Sequence, residues 1–199
     1  TGYNNIAIGE TSIQSITSGY KNIGIGKSTL FNNDTGSYNI AIGDSALFNN
    51  LISRNIAIGN SALLTNSNGA NNIAIGNRSL ESNTSGNDNT AIGTSAMINM
   101  TTGRENTSVG FQAMRGAVAG SNSYYNTAIG YNALLNIADG TFSNTAVGHR
   151  ALESDSSGNS NVGIGLMSLN ANISGNDNTA VGTGSGEKNT IGNYNTFLG

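Results

Sequence analysis

The chain contains no cysteine, no proline and no tryptophan, a single histidine, and only 10% charged residues. Each shortage excludes something. Without cysteine there is no disulfide framework and no thiol chemistry. No basic cluster exists, so nucleic acid is not an expected partner. No apolar run approaches the 18 residues that suggest a membrane-spanning helix, so this segment is not expected to insert into a membrane. The charged fraction is far below the roughly 25% usual in globular domains. Low charge also argues against disorder, which normally combines high net charge with few branched apolar residues; here the net charge is −3 and isoleucine is plentiful.

What fills the chain instead is a repeat, the first feature to seek in such a composition. The motif Asn-(Ile/Thr/Val)-(Ala/Gly/Ser)-(Ile/Val/Leu)-Gly recurs, with one late variant carrying Phe, and ends at Gly9, Gly26, Gly43, Gly59, Gly76, Gly93, Gly110, Gly130, Gly148, Gly165, Gly182 and Gly199. Eight of the eleven intervals are 17 residues; the others are 16, 20 and 18. Four residues before every one of these glycines stands an asparagine: Asn5, Asn22, Asn39, Asn55, Asn72, Asn89, Asn106, Asn126, Asn144, Asn161, Asn178 and Asn195. A second glycine follows ten residues after the first, as at Gly19, Gly36 and Gly69, with Ser53 the exception in the 16-residue interval. The two long intervals place their extra residues after this second glycine, in Ser121–Tyr125 and near Phe142, as expected of loops on a repeating scaffold. The sequence starts and stops in mid-unit, and its first unit looks ordinary rather than capped. The expectation is one repeat domain over residues 1–199, a segment of a longer fibrous protein.

Seventeen residues are too few for a helix pair and suit one coil of an all-β, parallel β-solenoid. Asn-Ile-Ala-Ile reads as a short strand, and the glycine after it supplies the turn. A small residue and then Ile13, Leu30, Leu47, Leu63, Leu80, Met97, Met114, Leu134, Leu152 or Leu169 follow, read as a second short strand or bend. Stacking would set like above like. The expected inward ladders are the residue before the glycine (Ile8 through Leu198), the residue three before it, and the Leu ladder. The asparagines are expected to bond amide to amide along the stack. With rungs ~4.8 Å apart, eleven intervals give a rod of roughly 53 Å. All nineteen charged side chains avoid the Asn-to-Gly block, consistent with the cost of burying an unpaired charge in every coil. The residue two before the glycine, mostly Ala with Gly24, Ser108, Gly163 and finally Phe197, is then expected to point outward. A small, mostly apolar outer ladder suggests close approach of another chain; the alternative is a strand packed within its own coil.

The pattern Asn-Ile-Ala-Ile-Gly-x-x-Ser-Ala-Leu resembles the YadA-like head repeat of trimeric autotransporter adhesins, and Asn126–Leu134 is similar to the Asn-Thr-Ala-Ile-Gly-Tyr-x-Ala-Leu repeats of phage tail fibres. The resemblance covers essentially the whole chain. The family's repeat has a somewhat shorter period than the about 17 residues that the spacing gives each of the twelve coils here. The resemblance implies left-handed β-rolls, a parallel homotrimer, and an extracellular role at a cell surface or on a virion fibre, in attachment to a host-surface glycan or protein.

Little in the sequence suggests chemistry. His149 is alone, with no acid or second His repeating near it. Gly182-Thr183-Gly184-Ser185-Gly186 lacks the Lys-Ser/Thr of a phosphate loop and reads as an altered turn. The Asp residues are too sparse for a calcium-binding roll. Sequons at Asn33, Asn83 and Asn172 are expected by chance in so Asn-rich a chain. No catalytic residue, cofactor or metal is expected. Two functions remain: a structural or adhesive fibre segment, and a solenoid whose flat face binds a regular lattice such as ice or polysaccharide. Thr90, Thr107, Thr127, Thr145, Thr179 and Thr196 form part of a ladder suited to the second. They share a face with the inward-assigned Ile/Val ladder, which argues against it. If the segment binds a ligand itself, the expected contact is the insertion loop with Tyr124 and Tyr125, whose rings offer area and hydroxyls to a sugar.

Overall fold

The computed structural model describes residues 2–116 and 122–199. Among these residues there is no helix, and each repeat contributes one three-residue strand: β1 (Ile6–Ile8), β2 (Ile23–Ile25), β3 (Ile40–Ile42), β4 (Ile56–Ile58), β5 (Ile73–Ile75), β6 (Thr90–Ile92), β7 (Thr107–Val109), β8 (Thr127–Ile129), β9 (Thr145–Val147), β10 (Val162–Ile164), β11 (Thr179–Val181) and β12 (Thr196–Leu198). They form one parallel sheet in sequence order, so the chain is a β-solenoid. Coil n is taken as strand βn and the residues leading to the next strand. The register never slips. Ile40 pairs with Ile56 across the shortened coil and Thr107 with Thr127 across the longest one, so length changes are absorbed outside the sheet.

The segment after the strand is a bend, not a second strand. Its backbone still bonds from coil to coil: Ser28 N–H donates to Glu10 O at 2.9 Å, and Leu30 N–H to Ala46 O at 3.1 Å. Alternate amides turn toward alternate neighbours because residues two and four after the first glycine take positive φ, as at Ser28 (55°) and Leu30 (48°). So does the residue before each ladder Asn, for example Lys21 (55°) and Tyr38 (60°). Among the described residues, 32 non-glycine residues sit there, a conformation that costs L-residues about 1–2 kcal/mol each and suits β-branched side chains worst. That explains why the core position four after the glycine is Leu or Met from coil 2 to coil 10, with Ile13 in the first coil and Gly186 in the eleventh. It also explains Gly182–Gly186: Gly184 (66°) and Gly186 (63°) occupy those same two positions in coil 11.

The interior corrects the expected facing of the strand. Ala41, Ala57, Ala74, Ala91, Ala128, Ala146 and Ala180 are fully buried, as is Ser108, and the isoleucines, valines and threonines on either side of them are not. The alternative of a strand packed within its own coil is therefore the correct one, and the Ile ladders point out. The reason is space. A 17-residue coil leaves a narrow interior, and the Leu ladder, buried as expected from Leu30 to Leu169, fills most of it. A Cβ built on Gly24 would already lie 2.6 Å from Ser12 Oγ and 2.9 Å from Ile13 Cγ1. Branched side chains do not fit opposite Leu; methyl groups do. Phe197 tests the rule: it is the one large residue on the small ladder, and it packs against Gly186, which replaces the Leu of its coil.

The ladder asparagines are buried from Asn22 to Asn178. Asn55 Oδ1 accepts the backbone N–H of Asn72 at 2.9 Å, and Asn72 Nδ2 donates to Gly86 O at 2.8 Å. The same pair of bonds recurs up the stack, as at Asn144, Asn161 and Gly175. The two glycines of each unit serve different needs. The first has φ near +130°, for example +135° at Gly93. The second, as at Gly86, has ordinary φ but no room, since a Cβ there would lie 2.2 Å from Gly103 O; Gly140, in a lengthened coil, differs, with φ 78° and open space around it.

Three substitutions separate these roles in a thermal melt followed by circular dichroism. Asn72→Ala should destabilise by about 1–3 kcal/mol for each buried partner left unpaired. Gly93→Ala should cost more, because it needs positive φ and sets a methyl 2.3 Å from Gly110 O. Ala74→Glu should abolish folding rather than dissociate an assembly; a folded monomeric Ala74→Glu chain would restore the outward assignment.

Candidate interaction face

With the small ladder inside, the sheet presents two continuous outer ladders. One is the residue before the first glycine, Ile8 to Leu198; the other is the residue three before it, Ile6 to Thr196. Neither contains a charge, and none of their members is buried. In mid-rod, Ile58 is 36% exposed and Ile164 40%, large values for residues flanked by strands above and below. Over β1–β5 the face reads Ile-x-Ile; from β6 onward it reads Thr-x-Ile or Thr-x-Val, with Val162 in β10 and Leu198 in β12 departing. The six threonines thus stand on the outside of the rod, which removes the objection to a lattice-binding array.

Aromatic columns flank this face. Directly after the turn glycines, Phe111 stacks on Tyr131 (centroids 5.3 Å apart) and Tyr131 on His149 (5.1 Å). All three are exposed. The rings stack along the rod axis, so they show solvent their edges rather than their faces. On the other flank, Tyr3 stacks on Tyr20, and Tyr20 meets Tyr38 edge-on.

The two tyrosines of the predicted contact loop have different surroundings; Ser121, at its start, lies outside the described residues. Tyr124 continues the stack through parallel bridges to Arg104 and Phe142. Its ring lies 5.4 Å from that of Phe142 and 5.6 Å from the Arg104 guanidinium. Tyr125 stands edge-on to it, is 49% exposed, and takes φ 60° just before ladder Asn126. Of the pair, only Tyr125 has a ring largely free for a partner.

Sequence reasoning missed a second polar column, seven residues after the first glycine: buried Asn33, Asn50, Asn66, Asn83, Asp155 and Asn172, then half-buried Asn189, with Ile16, Met100, Ala117 and Ile137 at that position in the other coils. The signal was present as a further Asn at fixed spacing. The sequons at Asn33, Asn83 and Asn172 fall in this column, with fully buried side chains. Asp155 is its one carboxylic acid, and burial pushes its pKa up to about 7. Among the described residues there is no group of three His, Cys, Asp or Glu able to hold a metal ion, and no pocket. No helix is long and apolar enough to cross a membrane. What the outer face of the sheet offers is a regular, uncharged array.

The tyrosines give a direct check. Tyr124→Ala should lower stability by about 0.5–1.5 kcal/mol through lost stacking, whereas Tyr125→Ala should stay within about 0.5 kcal/mol. Equal losses in urea titrations would show that both rings are structural.

Searches against protein-family models, curated proteins and solved structures found no match to this chain.

Proposed function

We propose that this chain is a non-enzymatic segment of an extracellular attachment fibre, on a cell surface or a virion. In this reading it assembles as a parallel homotrimer of left-handed rolls through the outer Ile/Val/Thr face, and holds a binding element at a distance from an anchor. The observation that carries the reading is the uncharged β-branched face running unbroken along twelve rungs. Such a surface is a liability for a solitary rod, because contiguous apolar patches on soluble monomers are normally limited to a few hundred Å². A regular array with one rung every ~4.8 Å is best matched by another array of the same period, and a parallel copy supplies it. In register, the Ile-x-Ile zone meets its like and the Thr-x-Ile/Val zone meets its like.

Size adds a condition. Twelve three-residue strands give a strip of roughly 500 Å², short of the roughly 800 Å² per partner of a standard interface. The flanking columns, Phe111–Tyr131–His149 on one edge and Tyr3–Tyr20–Tyr38 on the other, supply the remainder. A host-surface glycan or protein is the proposed target of the whole fibre, with Tyr125 the residue of this segment best placed to touch it.

The outward threonines favour a second reading, in which the face binds an extended lattice such as ice or crystalline polysaccharide. The readings separate by mass. Light scattering should give three times the chain mass, and Ile75→Glu combined with Ile92→Glu should reduce it to one while the circular dichroism spectrum persists. A stable monomer before mutation, with thermal hysteresis or retention on insoluble polysaccharide, would favour the lattice reading instead.

A further inference from the structure

We propose that Asp155 is carried in the folded rod as a neutral acid that donates its proton to the carbonyl of Gly158, and that losing this proton loosens the ninth coil, so that the rod contains one pH-sensitive joint. The other members of the same column set the pattern. Asn33, Asn66, Asn83, Asn172 and Asn189 each donate Nδ2 to the carbonyl of the glycine three residues on, at 2.8–3.1 Å. In the shortened coil, Asn50 donates to Ile52 O instead. Asn83 also shows the opposite half of the arrangement, its Oδ1 accepting the N–H of Gly86.

Asp155 fits this frame with one atom changed. Its Oδ1 accepts Gly158 N–H at 2.8 Å, as an asparagine oxygen does. Its Oδ2 then stands where the others carry an NH₂ group, and it is buried with no partner. Ionised, it would leave a buried oxygen carrying charge with no donor of its own, which is among the costlier burials in a protein. Protonated, it reproduces the asparagine pattern.

Among the described residues, no cation stands beside it. In coil 8 the column neighbour is buried Ile137, and the nearby Asp139 is exposed on the surface. In coil 10 the neighbour is Asn172, whose Nδ2 reaches Oδ1 at 3.4 Å, and Asp177 is exposed. Within coil 9, Glu153 is paired with Arg150 at 2.6 Å, and the other polar neighbour is the Asn161 amide. Desolvation, opposed only by the Gly158, Asn161 and Asn172 hydrogen bonds, moves the carboxyl from 3.8 to about 7.

The direction of the pH effect follows. Between 3.8 and about 7 the folded rod holds a proton that the unfolded chain releases. Stability is therefore complete below that window and falls as pH rises through it, by about tenfold in the folding equilibrium per pH unit. Above the window the penalty is constant.

Two measurements on the whole chain test this. In a sample labelled with ¹³C at Asp Cγ, one resonance, absent from Asp155→Asn, should hold the protonated shift at pH 5.5 and titrate near 7. A carboxylate shift for that resonance at pH 5.5 overturns the proposal. In urea unfolding, Asp155→Asn should match or exceed the native chain, and its advantage should grow from pH 4 to pH 7. An advantage independent of pH, or an Asp155→Asn chain that does not fold, overturns it equally, because the amide supplies the hydrogen that the proposal assigns to that position.

Discussion

Everything in this fold depends on a buried carboxamide satisfied only by the coils on either side of it. A ladder asparagine such as Asn72 takes its partners from Asn55, Asn89 and Gly86, so a solitary coil would leave its most polar buried group unpaired. Because buried amides must be satisfied, the asparagines set the coil period, demand the second glycine beside them, and make each repeat worthless without neighbours. They also offset a local penalty. The bend that gives every coil its backbone rungs holds residues at positive φ, which the isolated chain would not populate. Hydrogen bonding between coils and strain within them are two sides of one arrangement.

The narrow bore produced by that arrangement decides which surface is available for function. Leu30, Leu47 and their successors leave room opposite for a methyl group and little more. The branched side chains of every strand are expelled to the outside, where they make the flat array on which the proposed assembly rests. The same crowding makes Asp155 conspicuous, fully buried among Ile137, Gly158 and Asn172 with no counter-charge beside it among the described residues.

Much of this was legible in the sequence. The period, the parallel stacking, the Asn ladder and the Leu ladder follow from Asn and Gly recurring at fixed spacing around a strand-like triplet. The facing of that triplet was not legible, because Ile-Ala-Ile alternates equally well in either orientation, and the usual rule that isoleucine goes inside points the wrong way when the bore is too small for it. Nor was the strain visible: that Leu and Met are favoured over Ile and Val four residues after the glycine makes sense only once φ there is known to be positive. The second polar column, Asn33 to Asn189, was hidden by the general abundance of asparagine. Tyr124 and Tyr125, adjacent in sequence, separated into a stacked ring and a free one only through the bridges to Arg104 and Phe142.

Since each coil touches only the next one, tension on such a rod acts on one junction at a time. A coil contributes about 4.8 Å of length while folded, but its 17 residues span roughly 56 Å once drawn out. A terminal coil peeled away by load thus lengthens the molecule about tenfold over its folded share, dissipates the rung of hydrogen bonds it breaks, and leaves the remaining stack intact to take it back when the load falls. A solenoid of this construction yields in steps under pull, with about 5 nm of slack in every turn.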